Sequence, residues 1–126
     1  DLLIKRDGYI ASAKILALAK DNDVTLYSSV LTMANIAYIL RKSFVGDGLY
    51  QQMMKLSNIL CVSDLTKKQF EQAISLKARD FEDALQYYCA MDNSCDVIIT
   101  RNKKDFTFST ITVLTPEEYF DTEKHC

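Results

Sequence analysis

The chain has 126 residues, of which 48% are hydrophobic and 25% charged, and its formal net charge is -2. This length fits one domain with one hydrophobic core, and the composition is that of an ordinary globular protein. The slight negative charge excludes a strongly basic domain that holds nucleic acid through its overall field, so any such contact needs a local basic patch. No apolar run reaches the roughly 20 residues that would span a bilayer, and the first residues do not form a signal peptide, so we expect no membrane association.

The cysteines and the histidine narrow the chemistry further. Cys61, Cys89, Cys95 and Cys126 form no Cys-x-x-Cys pair, so neither a zinc knuckle nor a redox motif is indicated. We expect them to be buried thiols in a reducing cytoplasm. The single histidine, His125, lies beside the C-terminus, which argues against a catalytic triad of the Ser-His type. Any catalysis is therefore left to carboxylates and to the ions that they bind.

The first half of the chain alternates between helical and β-prone patterns. Apolar residues at helical spacing predict helices, and a short run rich in β-branched and aromatic side chains predicts a strand. Ser28 or Ser29 can cap the helix after this strand, and Gly46 and Gly48 interrupt the chain before the next helix. The predicted elements are a helix at 9–20, a strand at 24–27, a helix at 30–42 and a helix at 49–58.

The second half continues this alternation. Thr66 is the predicted cap of one helix, and Thr115 followed by Pro116 starts another. Glu117 and Glu118 would then face the positive end of that helix dipole, which is a structural role. The run at 96–100 is nearly all apolar, as expected of a parallel strand covered on both faces. The predicted elements are a strand at 59–62, a helix at 66–76, a helix at 80–91, strands at 96–100 and 111–114, and a helix from 115.

Alternating strands and helices predict an α/β protein. We expect a three-layer α/β/α sandwich with a mostly parallel central sheet, in a single domain over residues 1–126. No internal repeat, linker or low-complexity segment suggests a domain boundary. No strand precedes the first predicted helix, although such a sheet usually opens with one. We therefore expect the first strand of the sheet to be missing from this sequence.

Three carboxylates are predicted to meet at one edge of this sheet. Asp80 and Asp83 begin a helix three residues apart, so their side chains can share one face at the positive end of the helix dipole. Asp105 follows the strand at 96–100 by five residues. Carboxylate oxygens suit a hard divalent ion such as Mg²⁺ or Mn²⁺, which would also relieve their mutual repulsion. A cap at Asp80 with Asp83 at the third helical position would explain the first pair without a metal, and this alternative stays open.

Three segments of the sequence resemble a known family. They are Asp80-Phe-Glu-Asp-Ala-Leu-Gln-Tyr, Asp96-Val-Ile-Ile-Thr-Arg-Asn-Lys-Lys-Asp-Phe and, further back, Ser28 to Lys42. Together they are similar to the PIN domain, the fold of metal-dependent ribonucleases that include the VapC-type toxins of bacterial toxin-antitoxin pairs. The resemblance implies an endoribonuclease that hydrolyses RNA phosphodiester bonds with Mg²⁺ or Mn²⁺. It implies RNA as the substrate and leaves open both an antitoxin protein as partner and a homodimer.

The resemblance also assigns roles by position. Asp83 matches the acid at the helix start and Asp105 the acid after the fourth strand, both of which hold metal and serve catalysis. Asp80 is a neighbour that can add a ligand. Thr100 and Asn102 match polar residues that orient Asp105.

Asn35 departs from the family pattern, which usually has a glutamate on this helix. An asparagine offers a neutral carbonyl oxygen, which is a poorer ligand for Mg²⁺ than a carboxylate. This departure favours the alternative of a degenerate, non-catalytic PIN module that binds RNA or a protein partner. A phosphoacceptor receiver domain shares the α/β layout, but the acid pair expected at its first strand is not found.

Three basic residues border the predicted site. Arg101, Lys103 and Lys104 follow the strand at 96–100 and are placed to meet RNA phosphates. They are therefore the predicted substrate-binding residues.

Overall fold

Short strands alternate with α-helices along the part of the chain that the computed structural model describes, which is Ala17 and residues 24–124. The elements are β1 (Tyr27–Ser29), α1 (Val30–Leu40), α2 (Asp47–Ile59), β2 (Cys61–Ser63), α3 (Lys67–Leu76), α4 (Phe81–Asp92), β3 (Val97–Ile99), a 3₁₀ helix (Lys103–Phe106), β4 (Thr112–Leu114) and α5 (Pro116–Lys124). Apart from Ala17, which is helical, the helix predicted at 9–20 lies outside the described residues, as do His125 and Cys126. None of the described helices is long and apolar enough to cross a membrane.

The strands pair in parallel, which confirms the predicted α/β class. β1 pairs with β2 in the register Tyr27 to Cys61, and β3 pairs with β4 in the register Ile99 to Leu114. Within the described residues the strands thus form two parallel pairs. Residues of β1 and β3 line a common groove of about 570 Å³.

Side-chain caps set the starts of three helices where the sequence predicts them. Ser29, Thr66 and Thr115 each accept a hydrogen bond from the backbone N–H three residues later, at 3.1, 3.2 and 3.2 Å. In turn, the Oε1 atoms of Gln69 and Glu118 accept hydrogen bonds from the N–H groups of Thr66 and Thr115, at 2.8 and 2.9 Å, which completes two capping boxes. These bonds satisfy N–H groups that would otherwise lack partners at a helix start.

β2 begins later than the sequence predicts. The predicted run at 59–62 includes Ile59, which is the last residue of α2, and Leu60, whose N–H donates to the Leu56 carbonyl at 2.9 Å. A short apolar run looks the same at a helix end and in a strand, so periodicity alone does not separate the two. β1 is displaced from its prediction in the same direction.

The buried hydrophobic residues fall mainly into two groups. The first consists of Met33, Ile36 and Leu60, with partly buried apolar neighbours on α2. The second is built mainly by α4 and the 3₁₀ helix, and its buried members are Ala84, Tyr87, Cys89 and Phe106. The second group supports the acidic residues, since α4 and the 3₁₀ helix carry them.

Burial differs from the prediction at two places. Cys61 is exposed, whereas Cys89 is buried and Cys95 half-buried. All three are free thiols. The residues of β3 are half-buried instead of fully covered, because the groove opens beside them.

Candidate metal centre

Two of the candidate ligands lie at the start of α4, Asp80 at its N-cap and Asp83 in its first turn. Asp80 has an extended backbone, with φ -117° and ψ 114°, and its Oδ1 accepts a hydrogen bond from the Asp83 N–H at 2.9 Å. Asp80 is therefore the N-cap, as the sequence allowed. The Asp83 side chain follows three residues later, on the same face of the helix.

The 3₁₀ helix after β3 carries the third carboxylate. Its last residue, Phe106, is buried and anchors it against α4. The Asp105 N–H donates to the Asn102 carbonyl at 3.0 Å, and the Asn102 N–H donates to Thr100 Oγ1 at 3.1 Å. Thr100 itself is buried at the end of β3. Thr100 and Asn102 thus connect the strand end to the backbone of Asp105.

The three carboxylates converge at one point. Asp80, Asp83 and Asp105 each present an oxygen atom, and these oxygens all lie within 4.8 Å of one another. Burial, followed by the charges of Asp80, Asp105 and Glu82, raises the pKa of Asp83 from 3.8 to about 6. Carboxylates this close repel one another unless a proton or a cation neutralises them. Three hard, negatively charged oxygen donors this close together fit a divalent cation such as Mg²⁺ or Mn²⁺.

Asn35 contacts an acidic residue that the sequence does not single out. Its Nδ2 donates to Glu82 Oε1 at 2.7 Å, across the interface between α1 and α4. Glu82 directly precedes Asp83, but neighbours on a helix point about 100° apart, so helical spacing does not place it on the face of Asp80 and Asp83. Only the packing of the two helices reveals this residue.

Two of the three basic residues predicted to bind RNA form ion pairs with acidic residues of α5. Arg101 donates to both carboxylate oxygens of Glu117, at 2.6 and 2.7 Å, and this bond is the main reason that the pKa of Glu117 is lowered. Lys103 Nζ lies 3.0 Å from Glu118 Oε1. Lys104 is exposed and belongs to neither of these ion pairs. Glu117 and Glu118, which were predicted to interact with the α5 dipole, therefore also form ion pairs with basic side chains beside the site.

Comparisons with known proteins agree with the geometry. The family model described as PIN domain matches residues 1–104, a range that includes Asp80 and Asp83 and ends just before Asp105. The chain is 32% identical over 116 residues to Ribonuclease VapC1 of Aquifex aeolicus (strain VF5), an alignment that covers 88% of this chain and 78% of that protein. No solved structure matches the chain significantly. The chain therefore belongs to the PIN domain family.

Proposed function

We propose that the protein is an endoribonuclease of the VapC type that uses Mg²⁺ or Mn²⁺ to hydrolyse phosphodiester bonds in RNA. The observation that carries this proposal is the convergence of Asp80, Asp83 and Asp105 within 4.8 Å. Similarity to a protein named as a ribonuclease supports the reaction class. A cation held by these residues would activate a water molecule and offset the charge that develops on the scissile phosphate.

The carboxylates would hold the cation from two elements. Asp80 and Asp83 approach from the start of α4, and Asp105 approaches from the 3₁₀ helix. The hydrogen bonds from the Asn102 N–H to Thr100 Oγ1 and from the Asp105 N–H to the Asn102 carbonyl keep the second element in place. Because both elements pack on the same part of the core, their carboxylates stay together before a cation binds, and less ordering is needed on binding.

The basic residues beside the cluster would bind the RNA backbone. An acidic site repels phosphate, so RNA binding needs cations close by. Lys104 is exposed, whereas Arg101 and Lys103 are held by acids of α5. We expect Lys104 to meet phosphates directly, and Arg101 and Lys103 to do so in competition with their carboxylate partners.

Membership of the PIN domain family also supports proposals about the partners and the compartment. We propose an antitoxin protein as the natural inhibitor, a homodimer as the assembly and the cytoplasm as the compartment. The free thiols of Cys61, Cys89 and Cys95 support a reducing compartment. Light scattering of the purified protein tests the homodimer, and co-purification with the product of a neighbouring gene tests the antitoxin.

The test of the reaction is cleavage of a mixed RNA pool with Mn²⁺, with Asp83→Asn and Asp105→Asn beside the wild type. The matched control is Glu71→Gln, which removes a negative charge from an exposed position on α3. We expect the wild type and the control to cleave with Mn²⁺ and to stop when EDTA is added, and both aspartate variants to be inactive. Equal cleavage by the wild type and both aspartate variants would refute the assigned roles.

A different outcome would support the non-catalytic PIN module. Its specific support is Asn35, which stands where the family usually has a glutamate. In that case the wild type would bind Mn²⁺ and RNA, and the RNA would remain intact.

A further inference from the structure

Helices α1 and α4 face each other through two polar contacts. Gln86 Nε2 donates to Thr32 Oγ1 at 2.9 Å, and Asn35 Nδ2 donates to Glu82 Oε1 at 2.7 Å. From the first contact to the second, α1 advances by about one turn while α4 goes back by about one turn. The helices are therefore antiparallel here, and the second contact lies at the end of α4 that carries the acidic cluster.

The contact between Asn35 and Glu82 has a defined polarity. An ionised carboxylate only accepts hydrogen bonds, so the Asn35 amide must be the donor. A hydrogen bond to a charged acceptor is stronger than one between neutral groups. The charge of Glu82 also acts on Asp83, since it is among the charges that raise the pKa of that residue.

We propose that Asn35 is a positioning residue that fixes the carboxylate of Glu82, the residue next to Asp83, and that the negative charge of Glu82 strengthens cation binding at the metal centre. This inference rests on the proposed function, because it requires that the three aspartates hold a cation. Mg²⁺ usually keeps several of its water ligands when it binds to a protein. A carboxylate adjacent to one of the ligand residues can therefore strengthen cation binding through its charge without binding the cation directly.

The role proposed for Asn35 passes through Glu82. Its amide nitrogen donates to the Glu82 carboxylate, while its carbonyl oxygen takes no part in this bond. A neutral residue on α1 and a charged residue on α4 together place one negative charge at the helix interface. The amide and the carboxylate can be exchanged between positions 35 and 82 without a change in side-chain size, and this exchange provides the test.

The experiment measures Mn²⁺ affinity of the whole protein by isothermal titration calorimetry. Glu82→Gln keeps the shape and removes the charge, and we expect it to weaken Mn²⁺ binding roughly tenfold. Asn35→Ala keeps the charge but no longer holds it, so a smaller loss is expected. The double variant Asn35→Asp with Glu82→Gln moves the charge to α1 and reverses the hydrogen bond, so we expect affinity close to that of the wild type.

The control is Glu71→Gln, which removes one charge from α3 and should leave Mn²⁺ affinity unchanged. Glu82 is exposed, so circular dichroism should show all variants to be folded. The inference is overturned if Glu82→Gln binds Mn²⁺ as tightly as the wild type, or if the double variant does not recover. Failure of the proposed metal centre is a distinct result, in which the wild type binds no Mn²⁺ or Asp83→Asn binds it equally well.

Discussion

The backbone N–H of Asp83 donates a hydrogen bond to the Asp80 carboxylate at 2.9 Å, while each of the two residues has a carboxylate oxygen within 4.8 Å of one of Asp105. The sequence left open whether Asp80 is a helix cap or a metal ligand. The geometry allows both, since a carboxylate has two oxygens and one cap bond leaves further acceptor positions. The helix start and the candidate metal centre thus share one side chain.

Two substitutions separate these roles of Asp80. Asparagine is also a good N-cap, so Asp80→Asn should keep the stability of the metal-free protein and weaken Mn²⁺ binding. Asp80→Ala removes the cap as well, and should lower the free energy of unfolding by about 1 kcal/mol. Urea denaturation in EDTA measures the stability of both variants, and isothermal titration calorimetry measures their Mn²⁺ affinity. If Asp80→Asn bound Mn²⁺ like the wild type, Asp80 would be a cap alone.

Asp83 should destabilise the metal-free protein at neutral pH. Its pKa is about 6 in the folded protein and close to 3.8 when unfolded, so the folded state binds the proton more tightly. Between these values stability therefore rises as the pH falls, and above about pH 6 the full penalty of the ionised carboxylate is present. We expect Asp83→Asn to raise the free energy of unfolding by about 1 kcal/mol near neutral pH, after allowance for solvent screening of this half-buried group.

Urea denaturation of the wild type and Asp83→Asn across this pH range tests the prediction. In EDTA the variant should be more stable near neutral pH, and the difference should vanish once the wild-type carboxyl is protonated. Mn²⁺ should reverse the order, because a cation that binds only the folded wild type stabilises it by mass action. Equal stabilities throughout the pH range would show that the Asp83 pKa is not raised.

Signals between residues close in sequence predicted much of this structure. The caps at Ser29 and Thr66 depend on partners three residues away, and the amphipathic helices between them follow from apolar spacing. The convergence of Asp83 and Asp105 was also predictable, because a helix start and a strand end meet at one edge of a parallel α/β sheet.

Contacts between distant residues were not predictable in this way. Asn35 and Glu82 are 47 positions apart, and only the packing of α1 on α4 joins them. Arg101 and Glu117 were assigned separate roles, RNA binding and dipole compensation, yet they bind each other. Charge and spacing indicate which interactions each side chain can form, but the partner that it contacts depends on the tertiary structure.

The basic residues beside the site should differ in how much they contribute to stability and to RNA binding. Lys104→Gln should weaken RNA binding, reduce the slope of log affinity against log salt by about 1, and leave stability unchanged, because Lys104 is exposed. Arg101→Gln should lower the free energy of unfolding by up to about 1 kcal/mol, because the Arg101 side chain is largely buried against Glu117. Fluorescence anisotropy with labelled RNA in EDTA measures binding without cleavage. Unchanged RNA affinity of Lys104→Gln over a salt series would exclude Lys104 from the interface.

Tyr87 ties α4 to the segment that follows Asp105. Its ring packs edge-on against Phe108 at a centroid distance of 5.1 Å, and its hydroxyl lies 2.9 Å from Thr110 Oγ1. Tyr87→Phe keeps the ring and removes the hydroxyl, so we expect a loss of about 1 kcal/mol in the free energy of unfolding. Mn²⁺ affinity should change little, since the ring contact still holds the segment.

Tyr87→Ala is the complementary change, because it also removes the buried ring from the core. We expect it to lower the free energy of unfolding by roughly 3–5 kcal/mol and to weaken Mn²⁺ binding, since Asp105 then loses the packing that keeps its segment against α4. Urea denaturation and calorimetry on the three proteins separate the two contributions. If Tyr87→Ala were still folded and bound Mn²⁺ like the wild type, the position of Asp105 would not depend on Tyr87. It would then depend on Phe106 and on the hydrogen bonds that link Thr100, Asn102 and Asp105.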